Sequence, residues 1–198
     1  MSTPIPDRRT FVRTTLDLGE ATLHPWGRKP AGPELLDDLV TAAADPTIAL
    51  WNPLPAADHQ AAQTWLEARE DGWDRGVGAA FAVLSATDSA LLGTVNLRWT
   101  DRADGLAMIG YWFLPAARGR GLATRATRAV TTWGFSTADA RRIELAHAVG
   151  NQASCRVADR CGYHPEGILR ESHLFGDGRH HDEHLHARLA TDPEPNRP

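Results

Sequence analysis

The segment from Ile109 to Thr124 leaves this chain few folds to choose from. Ile109 to Leu114 is an apolar run that reads as a buried strand, and Pro115 ends it because proline has no N–H for a sheet ladder. Arg118, Gly119, Arg120 and Gly121 follow, and Leu122, Ala123 and Thr124 then open a helical periodicity that runs to Phe135. A strand, a small-residue turn and a helix N-terminus in that order build an anion site. Glycine lets backbone approach a phosphate, the first helical N–H groups have no intrahelical acceptor, and the helix dipole adds positive potential. The two arginines are expected to reinforce that potential. The stretch reads as a pyrophosphate cradle, in which a Cβ at Gly121 would intrude on the phosphate.

The rest of the chain places this segment in a mixed αβ architecture. A strand is expected at 21–26, with another possible at 11–18. Pro33 suits a first helical position, and Leu35, Leu36, Leu39 and Val40 continue that helix until Asp45-Pro46. Leu50 to Pro55 reads as a proline-stiffened loop. Asp58 is an N-cap candidate for a second helix through Trp65 and Leu66. Strands are predicted at 79–85, 91–99 and 106–114, a helix at 121–137, a strand at 143–149, a helix at 151–161, and final strands at 164–172 and 181–189. Hairpins followed by α-β alternation fit an α/β (α+β) fold around one sheet.

Composition narrows the function classes. The 198 residues suit one domain (1–198) with its core at about 21–189 and loose, Pro-rich termini at 1–10 and 191–198. A net charge of −4 gives no reason to expect nucleic acid or an anionic membrane as partner. No apolar stretch approaches the roughly 20 residues needed to span a bilayer, and the first residues lack a signal-peptide layout, so a cytoplasmic protein is expected. The two cysteines, Cys155 and Cys161, point to different faces of one predicted helix and read as structural thiols. His180, His181, His184 and His186, with Asp182 and Glu183, imitate a metal cluster. As strand residues, however, His184 and His186 share the face opposite Leu185, Ala187 and Leu189, and no second ligand set stands at fixed spacing, so no metal is expected.

A second motif accompanies the cradle: Asn151, Ser154, Val157, Arg160, Gly162 and Tyr163, on the helix after the next strand. Together with Arg118-Gly119-Arg120-Gly121-Leu122-Ala123, it resembles the acyl-CoA motifs of the GNAT superfamily of N-acetyltransferases. Glu166-Gly167, Leu169-Arg170, Gly178 and Asp182 make the chain similar to the RimJ/RimL-type branch, which acetylates ribosomal-protein N-termini. The resemblance spans about Ala21 to Leu189. It implies a central, mostly antiparallel sheet flanked by about four helices and splayed between the strands at 106–114 and 143–149. It also implies acetyl-CoA as cosubstrate, no metal, and an amine acceptor, either a protein N-terminus or a small molecule, in a monomer or homodimer.

By the same resemblance, the cofactor arm pairs with backbone around Trp112, Phe113 and Leu114, where one N–H would polarise the thioester carbonyl. Asn151 would hydrogen-bond the pantetheine, and Ser154 would supply a proton to the departing thiolate. A carboxylate found in relatives falls here at His173, which can take the amine proton directly or through water. Glu171, two residues away on the same predicted strand, could face the same side. Trp51 is the pocket candidate on the acceptor side. A non-catalytic acyl-CoA sensor and a transferase using a longer acyl-CoA are the alternatives. A dinucleotide-binding oxidoreductase is excluded, because a Gly-x-Gly-x-x-Gly fingerprint needs glycine where Thr124 stands.

Overall fold

Proline and period-2 patterning set the frame of the sheet, seen here in a computed structural model that describes residues 11–27 and 33–195. The apolar run forms a strand at Leu106–Phe113, and Pro115 starts a single 3-10 turn, Pro115–Ala117. In chain order the strands are β1 (Leu16–Asp17), β2 (Ala21–Pro25), β3 (Gly78–Ser85), β4 (Leu91–Asp101), β5 (Leu106–Phe113), β6 (Arg142–Ala148), β7 (His164–Leu174) and β8 (His180–Leu189). The helices are α1 (Pro33–Ala44), α2 (Pro46–Trp51), α3 (His59–Asp74), α4 (Leu122–Ser136) and α5 (Gln152–Arg160). Of the termini expected at 1–10 and 191–198, residues 1–10 and 196–198 lie outside the described residues.

One mixed sheet runs β1-β2-β3-β4-β5-β6-β8-β7, and every neighbouring pair except β5–β6 is antiparallel. The parallel pair is short: Leu106 to Met108 lie against Arg142 to Glu144, and beyond that point the two strands separate. The splay expected between these strands is therefore present, and it opens a gap in the middle of the sheet. Alternation assigns the two faces. Phe81, Val83, Val95, Ile109 and Leu145 pack under α4 with Ala126, Val130 and Trp133, while Ala80, Ala82 and Trp112 pack against Leu39, Ile48 and Trp65 of α1–α3.

Two local expectations need correction. Asp45-Pro46 ends α1 but also begins α2: the Asp45 carboxylate accepts from the Thr47 and Ile48 amides, and Pro46 takes the first helical position. Trp51 therefore ends a helix and does not sit in a loop. On β7 the register shifts between Leu169 and His173, and Glu171 adopts φ +47°. Three residues of β7, Arg170 to Ser172, there face one of β8, Asp182, so the alternation expected to put Glu171 and His173 on one side does not hold.

Candidate active site

Gly119 and Gly121 adopt φ +76° and +73°, left-handed conformations that an L side chain enters at a cost. A Cβ at either position would meet nothing within 4 Å. Glycine is thus required by the backbone turn, and the space beside it is open to a ligand. Gly121 caps α4 without a side chain, and the first intrahelical bond runs from the Arg125 N–H to the Gly121 carbonyl. The amides of Leu122, Ala123 and Thr124 precede that bond and form the positive end of α4. They border a groove of about 280 Å³ whose far wall is α5, including Arg156 and Arg160.

The arginines of the turn act differently from the expectation. Arg118 places Nη2 2.6 Å from Asp45 Oδ1, and its Nε donates to the Phe113 carbonyl at 2.9 Å. Its guanidinium ties the turn to α2 and β5 while lining the groove. Arg120 turns away from the groove to pair with Glu20, which Arg125 also binds. Hydrogen bonding from Arg125 holds the Glu20 carboxyl below its usual range, burial opposes this, and Arg120 adds to the lowering. Two cations face the groove from α5: Arg160 belongs to the second sequence motif, whereas Arg156 was not singled out from the sequence. An arginine spacing along a short helix is no signal without knowing what the helix faces.

At the splayed edge, Leu114 donates its N–H to the Leu92 carbonyl. Neighbouring residues of a strand turn their backbone groups to opposite sides, so Trp112 also faces β4, whereas Tyr111 and Phe113 face the gap. Of the three residues expected to meet a cofactor arm by backbone pairing, only Phe113 presents its N–H to the gap, with Tyr111 as the neighbouring contributor. Trp112 still lines the groove; Leu114 does not.

Asn151 caps α5: its Oδ1 accepts from the Ser154 N–H at 3.1 Å, which leaves its amide nitrogen as a donor toward the cavities. The Tyr111 hydroxyl is buried beside the Ser154 hydroxyl and makes no well-aligned hydrogen bond. Burial pushes the phenol's ionisation well above its ordinary range, and the adjacent Ser154 hydroxyl offsets this only in part. A second, larger cavity of about 680 Å³ adjoins the groove. Trp51, Asn52, Tyr111, Asn151 and Ser154 line both spaces, so these five residues form the junction.

His173 lines the larger cavity beside Phe175, its ring 4.9 Å from the phenyl centroid in an edge-on contact. Trp51 meets Phe175 edge-on at 5.7 Å, and the Gly176 N–H donates to the Leu50 carbonyl, which docks the β7–β8 turn on α2. Glu183 also lines this cavity and accepts from the Ser172 hydroxyl at 2.7 Å. Glu171 does not line it; its backbone N–H donates to Asp182 instead. The structure thus brings Trp51, Ser154 and His173 to one space and leaves Glu171 outside.

His184 and His186 of β8 do share one face, as expected, but it is the covered face. His186 is 2% exposed, and His147 of β6 and Cys155 of α5 converge on it with His184. The second ligand set that the sequence lacked at fixed spacing is assembled by the fold from two other elements.

A family model described as an acetyltransferase (GNAT) domain matches residues 28–164, more than half of the chain. The chain is 38% identical over 93 residues to "Probable N-acetyltransferase YjcK" of Bacillus subtilis, an alignment covering 46% of this chain and 51% of that protein. It spans about half the length of the curated Bacillus subtilis relatives it matches. Among solved structures, the ribosomal-protein-S5-alanine acetyltransferase from Vibrio fischeri superposes with a TM-score of 0.79 at 18% identity, covering 92% of this chain and all of that one. The microcin C7 self-immunity acetyltransferase MccE, solved with acetyl-CoA and AMP, gives 0.75 at 20% identity, over 86% of this chain and 93% of that one. These likenesses establish the same fold.

Proposed function

Because the chain belongs to the GNAT acetyltransferase family, we propose that it moves an acetyl group from acetyl-CoA directly to a primary amine, the acceptor being a protein N-terminus or a small molecule. The observation that carries this reading is the junction of the two cavities. A groove headed by the positive end of α4 meets a larger, aromatic-walled space at Ser154 and Tyr111. A long thioester in the groove and an amine in the cavity would bring their reacting atoms together there.

Each part of the chain has a chemical task in this reading. The amides of residues 122–124 bind the diphosphate, and Arg156 and Arg160 add positive potential along the groove. The unpaired edge of β5 receives the pantetheine arm, and the Phe113 N–H polarises the thioester carbonyl. Asn151 donates its side-chain amide to the arm. The amine nitrogen forms a bond to the acyl carbon as the carbon–sulfur bond breaks; His173 accepts the amine proton, and Ser154 or Tyr111 gives one to the departing thiolate. Trp51 and Phe175 wall the acceptor side. Residues 21–189 carry all of these parts, in keeping with a single acyltransferase domain.

A protein α-amine is the favoured acceptor. The Vibrio fischeri neighbour is named for an alanine of a ribosomal protein, another neighbour is titled an L7/L12 alpha-N-protein acetyltransferase, and the larger cavity has room for several residues of an extended peptide. The test is release of free CoA from acetyl-CoA in the presence of ribosomal-protein N-terminal peptides and a panel of small amines, with product mass read directly. A gain of one acetyl group on the α-amine is the expected result. Binding of acetyl-CoA with no turnover against every amine would overturn it.

A further inference from the structure

The convergence of His147, His184, His186 and Cys155 has no role in the acyl-transfer reading. One ligand atom from each lies within 4.8 Å of the others. Pairing in the sheet explains half of this. His147 of β6 sits directly opposite His184 of β8, and His186 follows two residues on, so all three rings stand on one face. α5 lays Cys155 over that face, one residue after Ser154.

The two buried rings are oriented by their outer nitrogens. His147 Nδ1 lies 2.9 Å from the Ala148 carbonyl, and His186 Nδ1 lies 3.4 Å from the Tyr163 carbonyl. A carbonyl oxygen only accepts, so each Nδ1 carries the proton and each Nε2 presents a lone pair. Those two Nε2 atoms face each other at 3.3 Å. Two lone pairs at that distance repel unless something electrophilic lies between them. Metal–nitrogen bonds of about 2.0–2.1 Å at a tetrahedral angle separate two ligand nitrogens by about 3.3 Å. Imidazoles held through Nδ1–H to backbone carbonyls, with Nε2 free, are the usual state of metal-ligating histidines.

We propose that His147, His184, His186 and Cys155 form a tetrahedral site for a divalent transition ion of zinc type. Three imidazoles and a thiolate fill four positions, which leaves none for substrate and makes the site a structural pin. The Cys155 thiol gives its proton to solvent as the metal–sulfur bond forms, and no oxidation state changes. The pin would join α5 to β6 and β8 directly beneath Ser154. A proton shared between the two Nε2 atoms is the competing occupant. Cys161 is a separate thiol, bonded through Sγ to the Thr124 carbonyl.

The test is titration of the chelator-treated full chain with Co²⁺, with circular dichroism confirming that it remains folded. Saturation at one equivalent is expected, with the visible bands of tetrahedral cobalt and a near-ultraviolet thiolate-to-cobalt band. Zn²⁺ should displace the cobalt and raise Tm. Cys155→Ser should remove the thiolate band while the protein stays folded. His184→Asn should weaken binding by more than the roughly 10–100-fold typical of losing an outer-shell partner. A folded chain showing only the weak bands of octahedral cobalt would overturn the proposal. So would a thiolate band that survives Cys155→Ser, or a shared imidazole proton resonance that Zn²⁺ leaves unchanged.

Discussion

The guanidinium of Arg118 lies 2.6 Å from the Asp45 carboxylate, joining the glycine turn before α4 to the residue that caps α2. Burial works against the charged carboxyl, but the Arg118 hydrogen bond and the Ile48 and Thr47 amides outweigh it and hold Asp45 below the usual carboxylate range. One acidic side chain thus supports both the glycine turn and the helix that ends in Trp51.

Asp45→Asn keeps a good N-cap oxygen and removes the charge. Because the pair is partly covered, the variant should lose about 1–2 kcal/mol in urea unfolding at neutral pH, more than an exposed pair would cost. A depressed carboxyl contributes stability that is fully present above its unfolded value, near 3.9, and is lost as pH falls through its lower folded value. The gap between wild type and variant should therefore close below about pH 4. A gap that stays constant into acid would mean that the charge is not the source.

Gly121→Ala places an L residue at φ +73° with open space around its Cβ. It should cost about 1–2 kcal/mol from backbone strain alone and raise KM for acetyl-CoA while changing kcat less. Gly121→Asn, which tolerates this conformation better, should recover most of the stability and none of the KM. Recovery of both by asparagine would show that the turn does not approach the ligand.

Much of this arrangement was readable from the chain. The strand, proline, glycine and helix order around Pro115 and Gly121 is a local pattern with local causes, and so is the helix expected at 151–161. Three features depend on contacts that no local pattern records. Arg118 and Arg120 are alike in sequence, yet carboxylates from α2 and the β1–β2 turn draw them in different directions. The irregular register of β7, with Glu171 at φ +47°, separated Glu171 from the cavity although a period of two would have put it beside His173. The pairing of His147 with His184 joins residues 37 apart through β6–β8 register, which a scan for close ligand spacing passes over.

Tyr111 and Ser154 give opposite signs for stability and turnover. The Tyr111 hydroxyl is buried and makes no well-aligned hydrogen bond, so Tyr111→Phe should leave stability unchanged or raise it by about 1 kcal/mol. If that hydroxyl serves the departing thiolate, kcat should fall up to about 10²-fold with KM for acetyl-CoA unchanged. Ser154→Ala tests the other donor by the same measurement, and the double variant should lose little more than the worse single one if the two act as a unit. Full kcat in both single variants would remove the proton-donor role from this junction.

His173 and Glu183 border the same cavity, and their roles separate by pH. A protein α-amine has a reference pKa of about 8, so at pH 7 only about a tenth of it is neutral and a base is needed to expose its lone pair. His173→Ala should then lower kcat/KM by about 10²-fold at pH 7. By about pH 9 most of the amine is already neutral, and the deficit should shrink to a few-fold. Glu183→Gln, which keeps an acceptor for the Ser172 hydroxyl, should cost less at either pH. His173 also packs edge-on against Phe175, and loss of that contact would displace the acceptor equally at both pH values. A deficit in His173→Ala that does not change between pH 7 and 9 therefore assigns the residue to the wall of the cavity and removes it from proton transfer.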